Sequence, residues 1–389
     1  MFFLAGFDPI DVPSQYRRFR REIAKSARTW SVTAATSGLE DGRWRLTAAG
    51  PNWATETLYE PLDWHDAVAA ELDSPRIAQL WHGLAAFLDF VVSGTAYRYF
   101  KASWQYGLFF LQPFLAVLLF VLAAAAAGLV AWRMLPLPPP ATPIVAVAIA
   151  VAVFVVLMRW PGRRWSVEQA LADWIFARDY MYGRRPDIAA RLDGFADRIV
   201  ARARRNDCEE IVVVGHSLGA TLAVEALDRA FARDPDLARH GPALCLLTVG
   251  ATIPKLTLHP AAAKLRAAVA RVAQAPGLAW TEYQARRDPI SFYRFDPVTL
   301  APAGDNVPGR NPCIRLVGIK DMMEPEAYER RKFRYMRLHY QFVMGNERRA
   351  SYDYVMLIGG PAPFAELAAL PGGVLDAYGD DGAYRKRTP

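Results

Sequence analysis

The sequence predicts an α/β chain: a mostly parallel sheet flanked by helices, interrupted by a helical insertion with two transmembrane helices. Three observations carry that expectation. First, the branched apolar run Ile211–Val214 enters the pentad Gly215–Gly219, and Ala220–Ala232 follows with Leu222, Leu227 and Phe231 among its apolar positions. A short apolar run, a glycine-bounded corner and a helical pattern read as strand, tight turn and helix. Second, "ALCLLTVG" (243–250) and the alternating "LAWTEYQA" (278–285) supply further strands later in the chain. Third, "GLFFLQPFLAVLLFVLAAAAAGLVAW" (107–132) is uncharged over a length sufficient to cross a bilayer as a helix.

The elements follow in order. Phe2–Ala5 is a first apolar strand, and Gly6-Phe7-Asp8-Pro9 is a turn. The apolar run is only a few residues long and has no basic n-region before it, so it reads as a strand and not as a secretion signal. "YRRFRREIAKSAR" (16–28) is a basic helix, "TWSVTAAT" is strand-like, and "EDGRWRLTAAG" with "TETLYEPL" forms a hairpin. Helices span Trp64 to Trp104. A second apolar candidate covers 143–158, at the lower limit for a span unless Trp160, extending it to 143–160, or the proline-rich approach contributes. "RMLPLPPPATP" between the two spans is too rich in proline for helix and reads as the turn of a transmembrane hairpin. Helices Val167–Tyr182 and Asp187–Arg204 then lead to the Ile211 strand. "SYDYVMLIGG" (351–360) reads equally as a last strand or a packing helix, and the tail 376–389 reads as disordered. The expected organisation is a sheet-forming part at 1–62, the helical insertion at 63–182, the second sheet-forming part at 183–375, and the tail.

Composition agrees. Hydrophobic residues make up 53% of the chain, above the usual globular share, and the surplus is concentrated in the two apolar stretches. Tyr99, Trp104, Trp132, Trp160 and Trp165 edge them as an interfacial belt would. Arg98, Lys101, Arg159, Arg163 and Arg164 flank the hairpin while its turn holds only Arg133, which places both flanks, and with them the termini, in the cytoplasm of an inner or cytoplasmic membrane. Cys208, Cys245 and Cys313 are odd in number and widely spaced, which suggests neither a disulfide framework nor a zinc site. No glycine-rich phosphate loop is present, and no cofactor is expected. The net charge of +7 is concentrated in 16–28 and 328–337. Anionic lipid headgroups or plain solvation account for these runs, and no nucleic-acid partner is expected.

Glycine on both sides of Ser217 has a mechanical reason. A serine at so sharp a corner takes strained dihedrals, and side chains on its neighbours would clash where strand and helix pass. The "GHSLG" pentad in its strand-to-helix setting resembles the α/β-hydrolase superfamily, specifically its lipase- and esterase-like serine hydrolases. The resemblance covers 1–60 loosely and 187–345 more firmly, and its specific motif is the elbow. It implies Ser217 as nucleophile, then an acid and a base in the chain order Ser, Asp, His. Among His65, His82, His216, His240, His259 and His339, only His339 lies far enough downstream for an acid-bearing strand to intervene. Asp288, in a strand-then-Asp-Pro turn similar to that of lipase-like relatives, is the implied acid, with Asp296 and Asp305 as rivals in the same region. The implied oxyanion donors are the backbone N–H groups of Leu218 and Phe7. Ala5-Gly6 stands where many relatives have His-Gly.

Such a site implies a membrane-anchored hydrolase of carboxylic esters, with membrane acyl lipids as the substrate class and an active site facing the bilayer, helices 64–104 forming part of a lid. An acyltransferase using the same triad, or a silent membrane module that binds a partner, are the alternatives.

Overall fold

A computed structural model describes residues 1–135, 137–138 and 140–385. The chain forms two compact units, one of residues 1–69 with 183–389 and one of residues 70–182.

The first unit opens with β1 (Phe2–Leu4), buried along its whole length. Helix α1 (Val12–Trp30) follows, started by the Asp11 carboxylate accepting from the Ser14 N–H at 2.9 Å. Its inner face, Phe19, Ile23, Ala27 and Trp30, is buried, while Arg17, Arg20 and Arg21 stay in solvent. Strands β2 (Thr33–Thr36), β3 (Trp44–Gly50) and β4 (Trp53–Pro61) come next, β2–β3 and β3–β4 being antiparallel. Helix α2 (His65–Leu72) follows β4. Residues 63–69 group with the sheet and not with the insertion that was expected to start at 63. Their ties explain this: the Trp64 indole N–H donates to the Ala5 carbonyl at 2.9 Å, and Asp66 pairs with Arg191.

The second unit consists of α3 (Arg76–Val92), α4 (Thr95–Ala102), α5 (Trp104–Met134), α6 (Ala141–Leu157) and α7 (Val167–Met181). Two of its helices are long and apolar enough to cross a membrane: the 31-residue α5, and α6 continued through Gly162 to 22 residues. That continuation is a π-helical turn over Met158–Gly162, so the second span takes in Trp160 and reaches roughly 33 Å at 1.5 Å per residue. The expected turn lies between them, although Pro136 and Pro139 fall outside the described residues.

Back in the first unit, α8 (Pro186–Arg205) leads to β5 (Glu210–His216), α9 (Leu218–Arg233) and β6 (Ala243–Val249). Helices α10 (Ile253–Thr257) and α11 (Ala263–Ala273) precede β7 (Ala279–Ala285). A small hairpin, β8 (Phe295–Asp296) with β9 (Ala301–Pro302), leads to β10 (Cys313–Val317). Helices α12 (Pro325–Arg331), α13 (Tyr335–Tyr340), α14 (Tyr354–Gly359), α15 (Phe364–Ala369) and α16 (Val374–Ala377) complete the core.

The eight-stranded sheet has the order β10-β7-β6-β5-β1-β4-β3-β2, and every pairing from β10 to β4 is parallel. The fold is therefore α/β with a mostly parallel sheet flanked by helices. β5 sits between β1 and β6 with its two faces covered, which is why its sequence is a continuous apolar run instead of an alternating one. Segment 351–360, open between strand and helix, is helix α14, because the Asp353 carboxylate accepts from the Val355 and Met356 N–H groups. The tail expected to be disordered is folded from 376 to 385. Tyr378 is buried, and Tyr378 and Tyr384 bridge. The Trp53 indole also donates to the Gly382 carbonyl, and residues 386–389 lie outside the described residues.

Candidate active site

The corner at Ser217 is strained. Its φ of 56° and ψ of −125° lie in a region that residues with a side chain rarely adopt, at a cost of about 1–3 kcal/mol. Surrounding bonds hold it there. The Ser217 N–H donates to the Val249 carbonyl at 3.1 Å, and the Ser217 carbonyl accepts from Ala220 and Thr252 at 3.1 and 3.3 Å. The flanking glycines are sterically required: a Cβ on Gly215 would stand 2.4 Å from Ala220 Cα, and one on Gly219 would stand 2.3 Å from the Leu4 carbonyl oxygen. The positive end of α9 begins at the next residue, Leu218, whose N–H belongs to a first helical turn with no carbonyl a turn earlier to receive it.

The loop after β1 runs against this serine. A Cβ on Gly6 would lie 2.8 Å from Ser217 Cβ and 3.3 Å from Ser217 Oγ, so only glycine fits that approach. The loop is closed by the Asp8 N–H donating to the Gly6 carbonyl at 2.8 Å, and the Phe7 ring meets Trp64 edge-on at 6.1 Å. Leu218 and Phe7 therefore flank Ser217 from the helix start and from the β1 loop.

His339, on α13, and Asp288, in the turn after β7, are brought together although 51 residues separate them. The imidazole Nδ1–H donates to the Asp288 carboxylate at 2.8 Å, with both side chains buried. The second Asp288 oxygen accepts from the Ile290 N–H at 3.1 Å, fixing the carboxylate. Asp296 instead accepts from the Val298 and Thr299 N–H groups and pairs with Arg310, and Asp305 is exposed; neither meets His339. Nε2 of His339 is buried and has no hydrogen-bond partner among the described residues. No hydrogen bond joins it to Ser217 Oγ, yet both residues converge on one stretch of chain. Ser217 is bonded to Val249, and the following Gly250 has a φ of 52° and would place a Cβ 3.0 Å from His339 Cε1.

Two supports of His339 carry no signal in residue spacing. The His216 ring lies 4.6 Å from the His339 ring, and its Nε2–H donates to the His339 carbonyl at 3.3 Å. Burial holds the His216 imidazole well below its usual pKa, and because its partner is a carbonyl oxygen, Nε2 is the donor. Tyr340, next to His339, donates its hydroxyl to Asp8 at 2.7 Å. Arg18 reaches the same carboxylate at 3.4 Å and lies over the Tyr340 ring at 5.3 Å. The β1 loop and the helix carrying His339 are thus joined by a partly buried strut. Asp8 and Tyr340 are 332 residues apart, and only adjacency to Phe7 and His339 marked them in the sequence.

Chemically, the arrangement offers a hydroxyl at the positive end of a helix, an imidazole oriented by a buried carboxylate, and a glycine turn of the β1 loop packed against the hydroxyl. Neither a known protein family, nor a curated protein, nor a solved structure matches the chain.

Proposed function

We propose that this chain is a membrane-associated serine hydrolase with an α/β-hydrolase-like core, cleaving carboxylic esters of acyl lipids through Ser217, His339 and Asp288. The observation that carries the reading is the convergence of three features at the carboxyl end of β5. These are a strained Ser217, the Gly6 loop against it, and a buried His339–Asp288 pair whose Nε2 is unpartnered.

In the proposed reaction Ser217 Oγ attacks the ester carbonyl carbon while His339 Nε2 takes its proton. Asp288 holds the imidazole with Nδ1 protonated and stabilises the imidazolium. Charge on the tetrahedral oxygen is assigned to the backbone N–H groups of Leu218 and Phe7, a reading supported by the helix start at Leu218 and by the approach of Gly6 to Ser217. His339 then returns the proton to the leaving alcohol, and an acyl-serine remains. Water, deprotonated by His339, attacks that ester; the bond to Ser217 Oγ breaks, His339 returns the proton to Oγ, and the fatty acid is released. The lipid substrate class is supported by the two helices long enough to span a bilayer.

The test is hydrolysis of short- and long-chain acyl glycerides by the reconstituted protein and by Ser217→Ala, with and without an added acceptor alcohol. Wild type should release free fatty acid, and Ser217→Ala should lose roughly 10⁴-fold or more in turnover. Acyl transfer to the alcohol at the expense of free acid would replace hydrolysis by acyl transfer. Equal turnover by both proteins would refute the nucleophile.

A further inference from the structure

Helix α3 carries two apolar faces. One, with Gln79, Gly83, Ala86 and Phe90, is buried inside the second unit. The other consists of Ile77, Trp81, Leu84, Leu88, Val91 and Val92, all exposed, with Ile77 at 74%, Trp81 at 68% and Val92 at 85%. At about 100° per residue these six side chains fall within an arc of roughly 100°, a stripe as regular as one that faces a core. His82 and Asp89 lie to one side of it. A contiguous exposed apolar surface of this kind marks an interaction site.

Its occupant follows from its neighbours. Phe87 of α3 packs on Phe110 and Phe114 of α5 at 5.8 and 4.7 Å, and Leu80 packs on the cluster of Phe120 and Met158. The helix on which α3 packs is itself a candidate membrane span, and it leaves Leu108, Leu115, Leu118 and Leu119 exposed. Beyond the stripe stand the exposed rings of Tyr97 and Trp104, of the kind that settles at headgroup depth.

Connectivity then decides the depth. β4 and β5 both pair with β1, so the chain leaves for the second unit and returns from it within one sheet. A folded sheet lies on one side of a bilayer, so the segment between must cross an even number of times. α5 and α6 supply two crossings, which leaves no room for α3 with α4 as a third. The chain bends by 70° between those two helices, and Arg98 and Lys101 on α4 favour a return to the headgroups. We propose that α3 is a third, non-crossing membrane contact, lying in the lipid interface with Ile77, Trp81, Leu84, Leu88 and Val92 in the acyl boundary. This inference rests on the reading of α5 and α6 as a membrane hairpin.

The experiment places single nitroxide labels in the full-length chain, with Cys208 and Cys313 replaced by serine and the buried Cys245 retained. The protein is reconstituted into phosphatidylcholine–phosphatidylglycerol vesicles. Labels at Trp81→Cys, Leu84→Cys and Leu88→Cys test the stripe, His82→Cys its flank, and Leu118→Cys the hairpin. Each variant must melt as the parent does by circular dichroism. The expected result is that oxygen, which concentrates in lipid, relaxes the labels at 81, 84, 88 and 118 more than a water-soluble nickel complex does, with the order reversed at 82. Preference for nickel at 81, 84 and 88 while 118 prefers oxygen overturns this inference and leaves the hairpin intact. Preference for nickel at 118 overturns the hairpin and the inference together. Spin–spin broadening at 84 and 88 that disappears on dilution with unlabelled protein overturns lipid in favour of a second copy of the chain.

Discussion

Ser217 concentrates the account, because its dihedrals carry a strain that a mere helix-capping serine would not need, and the His339–Asp288 pair lies within reach of the same stretch of chain. Asp288 fixes the imidazole tautomer, so Asp288→Asn should lower turnover by about 10³–10⁴-fold with the fold intact. Asp296→Asn should leave turnover within a few fold, since Asp296 caps a turn and pairs with Arg310; parallel kinetics of the two variants decide the assignment. Tyr340→Phe removes the hydroxyl that ties the β1 loop to the base helix and strips one donor from the buried Asp8 carboxylate. Losing such a partner costs about 1–3 kcal/mol, and because the loop carries the proposed oxyanion donor, part of it should appear as a fall in kcat of about tenfold with little change in KM. An unchanged kcat in steady-state assays would make the strut purely structural. The sharp corner at Ser217 was legible because such a turn needs glycines at fixed spacing, and the pairing of His339 with Asp288 was expected because, of the histidines after the corner, only His339 leaves room for an intervening strand. The strut was not, since nothing local in Asp8 or Tyr340 announces a partner at the opposite end of the chain.

The strands that bear the site were readable as elements for a physical reason. β5 and β6 are buried on two faces, so their sequences are unbroken apolar runs, and the sharp corner after β5 is written in Gly215 and Gly219. Short elements were not readable: α14 exists because Asp353 caps it while also accepting from Ser26 and from the Trp30 indole, residues more than three hundred positions away. On β7, Glu282 is fully buried, accepting from the Thr248 hydroxyl and the Gln284 amide. Burial pushes its carboxyl from 4.5 up to about 8. The folded chain therefore holds a proton that the unfolded chain releases near 4.5, and between these values the native state binds more protons. This contribution to stability is full below about 4.5, falls as the pH rises, and is gone above about 8. Glu282→Gln should remove that slope, being more stable than wild type at pH 8 by on the order of a few kcal/mol. Parallel melting curves of the two proteins from pH 5 to 8 would contradict it. Gly219→Val should cost more than either site variant, because its side chain would collide with the Leu4 and Ala5 carbonyls; a soluble, natively melting Gly219→Val protein would show the close packing at the elbow to be dispensable.

For the whole molecule, the helical insertion was visible from its apolar stretches, but its boundary was not. Trp64 and Asp66 belong to the first unit through a hydrogen bond and an ion pair that no composition shift records. Because one sheet is built from chain on each side of the insertion, single cysteines at Asp41 and His240 should react with an impermeant maleimide from the same face of the membrane, and one at Thr142 from the opposite face. Labelling of all three from one face would contradict the hairpin. The central claim, that Ser217 is a nucleophile activated by His339, is tested most directly by a fluorophosphonate probe applied to membranes carrying wild type, Ser217→Ala and His339→Ala, with the modified peptide located by mass spectrometry. Labelling of wild type on Ser217, none in Ser217→Ala, and a rate lowered by orders of magnitude in His339→Ala is the result the account requires; equal labelling of all three proteins, or a label on another residue, would contradict it.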